Sequence, residues 1–347
     1  MKPLSRREFL RLAAAGSGGL GVSSLLAACG MEEELLTPTL QPTLAPSSTS
    51  TVRPTSTATE DPTTTPTDEP TATQTQVPTP DLVVARNGEP EDLVRRALAA
   101  LGGMEKFVSK GADVIVKPNI CVSFRSYEYA ATTNPWLVGA IVKLCLEAGA
   151  KRVRVMDQTW RREMWEAYAR SGIQKEVEAA GGEMEWMPLE KFVATNISHG
   201  LDLKSLEIYE DVLNPDVLIN VPIAKHHADA RLTLGMKNLM GVIGDRPKMH
   251  TNMGQRLADL NSRVRPTLNI MDAVRMLMDW GPTGGALSDV KKMDTVIVSR
   301  DIVALDSYTA TLFDMKPTDL EYVKAATAMG LGRSDLKNLR IEEINIQ

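Results

Sequence analysis

Four stretches of this chain are nearly unbroken apolar, β-branched runs that stop at a charged or amide residue: VIVKPN (114–119), VRVMD (153–157), VLINVP (217–222) and VIVSRD (296–301). A strand wetted on one side alternates apolar and polar residues. A strand apolar on both sides must be covered on both sides, and helices supply that cover in α/β proteins. Two further strand-like runs lie at 82–85 and 267–271, and helical periodicity recurs at 90–101, 135–148, 161–180, 252–264, 272–279 and 302–313. The alternation predicts an α/β fold, a mainly parallel open sheet with helices on both faces. Residues 183–215 are less regular, and an irregular or antiparallel insertion is expected there.

In an open parallel sheet the carboxyl ends of the strands share one edge, and ligands bind in the crevice outside it. Lys117, Asn119, Asp157, Asp272 and Asp301 all follow strand-like runs, so that edge should gather them from across the sequence. A single polar strand end is ordinary turn chemistry, and one Asp more often caps a helix than catalyses. A shared edge carrying cations, imidazoles and carboxylates is harder to explain as chance.

The stretch KHHADARLTLGMKN (225–238) follows VLINVP and holds two of the four histidines. We read it as a strand end, a short loop and a helix start capped near Asp229, with Lys225, His226 and His227 at the helix's positive end, where an anion is favoured. Lys237 and Asn238 then reach the same crevice only if the helix breaks near Gly235, a residue that permits such a break. Lys117, Lys225, His227, Lys237 and Asp157 are the candidate catalytic residues. A lysine can neutralise a carboxylate or phosphate, and a neutral imidazole can act as base. Asn119, Asn134, Asn238, Asp272 and Gly284 are candidate ligand contacts, although Asn134 before Pro135 also reads as a plain helix cap. Gly284 lies in GPTGG, a loop whose amides can approach an anion but which no Lys-Ser/Thr follows, so it is not a Walker motif. His226, His227 and His250, with Asp157 or Asp272, are the candidate metal ligands, of a kind suited to nickel, zinc or iron. His199 reads as a surface loop residue.

The amino terminus, MKPLSRREFLRLAAAGSGGLGVSSLLAACG, pairs Arg6-Arg7 with a short, weakly apolar stretch rich in Gly and Ser. That order marks residues 1–28 as a twin-arginine signal, too polar for a comfortable membrane span. Leu26-Ala27-Ala28-Cys29 is similar to a lipobox, which makes Cys29 the expected lipidation site and first mature residue. The expected partners are thus the twin-arginine translocase and a membrane, at the bacterial cell surface or in the periplasm. Residues 37–80 are Thr, Pro and Ser with almost no aliphatics. Such a segment cannot bury enough apolar surface to offset its ordering entropy, so 29–80 reads as a disordered tether of on the order of 100 Å if extended. The domain that carries the sheet is expected over 81–347.

A net charge of −5 excludes the basic footprint of a nucleic-acid binder. The three cysteines, Cys29, Cys121 and Cys145, form no C-x-x-C, which excludes an all-cysteine iron–sulfur or zinc site within one chain. A Cys121–Cys145 disulfide stays open as an alternative to two free thiols.

The motifs VKPN, TNPWLV…LEAGAKRVRVMD, INVPIAKHH, TLGMKNLMG, LNIMDA, WGPTGG and RDIVALD, in that order, resemble the domain-of-unknown-function 362 family over most of 81–347. Many members of that family carry a ferredoxin-like cysteine module, which this chain lacks, so the resemblance implies a fold and no iron–sulfur cluster. A weaker likeness is to the lactate racemase (nickel-pincer) family, in which a His, a cofactor-tethering Lys and a further His follow a strand. His227, Lys237 and His250 fall in that order here. The Gly-rich run that precedes the lysine in that family is replaced by LTLGM, which puts covalent attachment in doubt. Three functions remain open on the residues: an enzyme acting on a small anionic substrate with a metal or organometallic cofactor, a non-catalytic surface lipoprotein that binds a small anion or metal, and a structural module.

Overall fold

The computed structural model describes residues 78–160 and 163–346. The signal, Cys29 and nearly all of the tether lie outside the described residues. The strands are β1 (Leu82–Arg86), β2 (Asp113–Pro118), β3 (Arg152–Val155), β4 (Glu183–Met184), β5 (Phe192–Asn196), β6 (Ser205–Tyr209), β7 (Val217–Val221), β8 (Ile223–His227), β9 (Arg231–Thr233), β10 (Leu268–Leu277), β11 (Val290–Ser299) and β12 (Ile341–Asn345). The main sheet runs β12-β1-β11-β10-β7-β2-β3-β4. Along that path all neighbouring pairs are parallel except the two that β11 makes, with β1 and with β10; off the path, β8 pairs parallel with β10 and antiparallel with β9. The sheet is therefore mainly parallel, as the apolar runs predict. The irregular stretch supplies the two-residue edge strand β4 and a separate antiparallel pair, β5 with β6.

Val114, Ile115 and Val116 of β2 and Leu218 and Ile219 of β7 are sealed from water on both faces. Burying each such side chain contributes about 1.5–3 kcal/mol. The helices form two packed groups. Pro135–Glu147 packs against both Pro90–Ala100 and Ile173–Ala179, the last of which also meets Met164–Ser171, while Gly235–Asn238, Met253–Arg263, Ile302–Thr311 and Glu321–Ala328 form the other set. The helix Pro135–Glu147 starts where Asn134 Oδ1 accepts the amides of Trp136 (3.0 Å) and Leu137 (3.3 Å), with Pro135 in its first turn. Cys121 and Cys145 are free thiols.

Three local expectations change. Residues 272–279 are not helical, because β10 runs on to Leu277 with β11 beside it. The helix expected over 161–180 is two among the described residues, Met164–Ser171 and Ile173–Ala179, parted by Gly172 at φ 78°. The helix expected to start near Asp229 is a β-hairpin: β8 pairs antiparallel with β9, and the helix begins only at Gly235. His227 Nδ1 accepts the amides of Asp229 (3.1 Å) and Ala230 (3.4 Å), and Arg231 turns the chain at φ 64°. An imidazole thus takes the acceptor role that an Asx side chain plays in a turn.

Candidate functional site

Strands β7 and β8 are one path broken at Pro222. Proline has no amide to give, but its carbonyl accepts Asp272 N–H at 2.9 Å, so β10 follows the path across the break. The continuation carries Lys225 and His227 beyond the carboxyl ends of β2 and β3. Side chains alternate along a strand. Lys225 and His227 therefore share a side and line a cavity of about 470 Å³, and His226 between them does not line it.

The cavity floor is a chain of hydrogen bonds. Lys225 Nζ donates to Asn119 Oδ1 (2.9 Å), Ala131 O (2.7 Å) and Pro282 O (2.9 Å). Asn119 Nδ2 donates to Asn238 Oδ1 (3.0 Å), which also accepts Lys117 Nζ at 3.2 Å. Lys117 Nζ then pairs with Asp157 Oδ1 at 2.7 Å, and Asp157 Oδ2 accepts Ile120 N–H at 2.7 Å. Asn238 completes its set by donating to Lys117 O and Asn220 Oδ1. Five residues from four segments are tied into one unit, which is how a site keeps its geometry in the absence of a ligand.

The electrostatics are one-sided. Lys225, Lys237 and Arg246 face the cavity, and Asp157 is its one lining carboxylate among the described residues. That carboxylate is already matched by Lys117. Lys225 is 1% exposed and its three acceptors are neutral. Burial pushes the Lys225 and Lys117 ammonium groups below the ordinary lysine range, in the second case against the pull of Asp157. Lys237, 6% exposed, has the Met240 sulfur at 3.3 Å as its one hydrogen-bond partner among the described residues, and burial with the nearby Lys225 charge holds its amine down at about 8. His227 is pushed down to about 3 by burial and then by Lys237, so it is neutral at physiological pH. Its Nδ1 accepts two amides, which places the ring proton on Nε2. Gln158 Nε2 and Thr233 Oγ1, on residues of the same wall, are buried with no protein partner among the described residues. Buried polar atoms are nearly always paired.

Several expected residues stand elsewhere. His226 is half-buried, with Nδ1 accepting Gly281 N–H at 3.1 Å, and His250 is exposed at the cavity rim. His226, His227 and His250 therefore do not form one donor set. No three His, Cys, Asp or Glu side chains converge to hold a metal ion among the described residues. The donor set does not fit a protein-held metal ion. Asp272 is buried and accepts the amides of Asn134 (2.7 Å) and Val274 (3.0 Å), with its carboxyl pushed up to about 7 by burial. Asn134 and Asp272 thus hold the loop behind the site and do not line the cavity. The amide of Gly284 closes a turn on Trp280 O, so it is not available to an anion there. Asp301 lies at the other end of the sheet, because β11 runs antiparallel to β10. There it caps Ile302–Thr311.

Asp306 and Arg246 carry no site signature in the sequence. Asp306 accepts Gly235 N–H (2.7 Å) and Met236 N–H (2.9 Å), capping from 71 positions away the short helix that carries Lys237 and Asn238. The only signal is that Asp306 is the one charged residue within the helix Ile302–Thr311. Arg246 braces the wall through the carbonyls of Met240 (3.1 Å), Thr159 (3.0 Å) and Gln158. Gly241 packs so closely that an added Cβ would lie 1.9 Å from Asp157 Oδ1 and 2.6 Å from Lys117 Nζ.

The chain is 26% identical over 253 residues to the thylakoid-associated protein sll1697 of Synechocystis sp., an alignment that covers 69% of this chain and 74% of that protein. Among solved structures it is similar to the lactate racemase apoprotein from Thermoanaerobacterium thermosaccharolyticum, with 15% identity and a TM-score of 0.37. That superposition covers 61% of this chain and 53% of the other, so the chain spans about half of that protein's length. Residues 114–311 match the family described as domain of unknown function DUF362, and the chain belongs to that family.

Proposed function

We propose that the cavity beyond β2, β3 and β8 binds a small carboxylate- or phosphate-bearing ligand, and that the protein is an enzyme acting on it. The observation that supports this most is the surplus of positive charge: Lys225, Lys237 and Arg246 face a cavity whose one lining acid among the described residues is already paired. A buried cation without a counter-charge is expensive. An anionic ligand supplies that counter-charge, and Gln158 and Thr233 offer it hydrogen bonds. A passive anion site is served by ammonium groups that stay charged. Lys237, held down at about 8, is suited instead to exchanging protons, which favours an enzyme over a simple binder.

We further propose that the protein works outside the cytoplasm as a membrane-anchored lipoprotein. Arg6-Arg7 and Cys29 support this, as does the name of the thylakoid-associated relative. The lipid on Cys29 is the anchor proposed; among the described residues no helix is long and apolar enough to cross a membrane.

Thermal unfolding in the presence of phosphate, oxalate and glycolate tests the anion reading. A ligand at a hundred times its Kd adds about 2.7 kcal/mol to stability. The reading expects a rise in melting temperature that Lys225→Met abolishes. It is overturned if no small anion shifts the melting of the wild type, or if the shift survives that substitution.

A further inference from the structure

We infer that Lys237 is an imine-forming residue and that the ligand of the cavity is a small anion bearing an aldehyde or ketone. The inference rests on the anion-binding reading above and adds to it the substrate class and a covalent step.

Three features of Lys237 carry it. The side chain is buried and lines the cavity, so its nitrogen faces ligand space and not bulk water. Its one hydrogen-bond partner among the described residues is the thioether of Met240, a weak acceptor that leaves the nitrogen lone pair uncommitted when the amine is neutral. Among the described residues no carboxylate pairs with it, in contrast to Lys117, which is locked to Asp157 at 2.7 Å. A lysine whose task is to hold a fold together is expected to look like Lys117. A lysine desolvated beside another cation is an activated nucleophile.

The neighbouring groups fit the reaction. Burial, then Lys225, lowers the Lys237 amine to about 8, while Asp229 and Cys121 pull weakly the other way and Arg246 adds to the lowering. At pH 7.5 such an amine is neutral on the order of a hundred times more often than a lysine with an ordinary value. Lys225 is fixed by three neutral acceptors and stays in place as the charge that holds the ligand's carboxylate or phosphate. In the step itself the Nζ lone pair forms the N–C bond while the carbonyl π electrons move to oxygen, which takes a proton. The nitrogen gives up two protons in all, one balancing the proton already taken by oxygen and the second going to the resulting hydroxyl. The C–O bond breaks, and oxygen leaves as water with the formation of C=N. No electrons are gained or lost. His227, neutral with its proton on Nε2, is the nearby imidazole that can donate a hydrogen bond to the departing oxygen.

Reductive trapping tests this without knowledge of the natural substrate. The full-length protein is incubated at pH 7.5 with glyoxylate and sodium cyanoborohydride, digested, and mapped by mass spectrometry. The methyl ester of glyoxylate is the uncharged control. The inference expects a secondary-amine adduct on Lys237 at least about tenfold above that on Lys175, whose side chain is 86% exposed. The Lys237→Arg protein, checked for cooperative unfolding, should lose this adduct alone. In Lys225→Met, which retains Lys237, glyoxylate labelling should fall to the level of the ester. Labelling confined to exposed lysines overturns the inference even where phosphate raises the melting temperature, and the anion reading then stands alone. Equal labelling of Lys237 by glyoxylate and its ester keeps the imine and overturns the anion reading.

Discussion

Lys117 Nζ lies 2.7 Å from Asp157 Oδ1, and both side chains are sealed from water at the carboxyl ends of β2 and β3. A buried pair of this kind is weak evidence of stability, since desolvation offsets much of the attraction. Breaking it from one side is another matter. Asp157→Asn and Lys117→Met should each destabilise the protein by about 3–5 kcal/mol in urea titrations. The double replacement Lys117→Met with Asp157→Leu should recover a large part of that. Additive losses in the double variant would show that the two residues act separately.

Gly241 closes over this pair with no room for a side chain. Gly241→Ala should therefore force the Lys117–Asp157 contact apart and destabilise by about 1–3 kcal/mol. It should also weaken the melting shift caused by phosphate or oxalate, because Asn238 and Asn119 are tied to Lys117. An unchanged denaturation midpoint would mean that the backbone moves aside freely.

Lys237 makes stability depend on pH in a fixed direction. Its folded-state value of about 8 lies below the ordinary 10.5. Between those values the unfolded chain binds a proton that the folded chain has released, so this group makes stability rise with pH from about 8 to 10.5. Lys237→Met should be more stable than wild type at pH 7, by about 1–3 kcal/mol, and the gain should shrink towards pH 10.5. Denaturation at pH 7, 9 and 10.5 checks it, and a variant less stable at pH 7 would contradict the burial penalty.

Asp306 acts in the opposite sense. Burial pushes its carboxyl up to about 7 from the usual 3.8, despite the amides of Met236 and Gly235. From about pH 4 to 7 the folded chain keeps a proton the unfolded chain has lost, so this contribution to stability falls as pH rises. Asp306→Asn should remove that slope. Asp306→Ala leaves two helix-start amides without their acceptor, and about 1–3 kcal/mol should be lost, read by chemical denaturation at pH 5.

Export is tested in a host with a twin-arginine system. Arg6→Lys with Arg7→Lys should leave precursor in the cytoplasm, and Cys29→Ser should give protein without a lipid. Mature, membrane-anchored protein from the Cys29→Ser gene, seen by fractionation and mass spectrometry, would rule out Cys29 as the anchor.

By itself the sequence determined the class of fold and the material of the site. VIVKPN and VLINVP are apolar on both faces, and only a sheet covered on both faces satisfies them. Lys117, Asp157, Lys225 and Asn119 follow such strands, so their meeting at one edge follows from the rule for parallel sheets. That rule failed at Asp301, because strand direction depends on which neighbour a strand pairs with, and β11 pairs antiparallel with β10. It also failed for His226, placed beside Lys225 by sequence and outside the cavity by the alternation of β8. Tertiary structure alone decided which lysines are paired. Lys117 and Lys237 look alike in sequence, yet one meets a carboxylate 40 positions away and the other meets a sulfur. The capping of Gly235 by Asp306, across 71 positions, is likewise a result of chain packing, since no local pattern encodes a contact between distant segments.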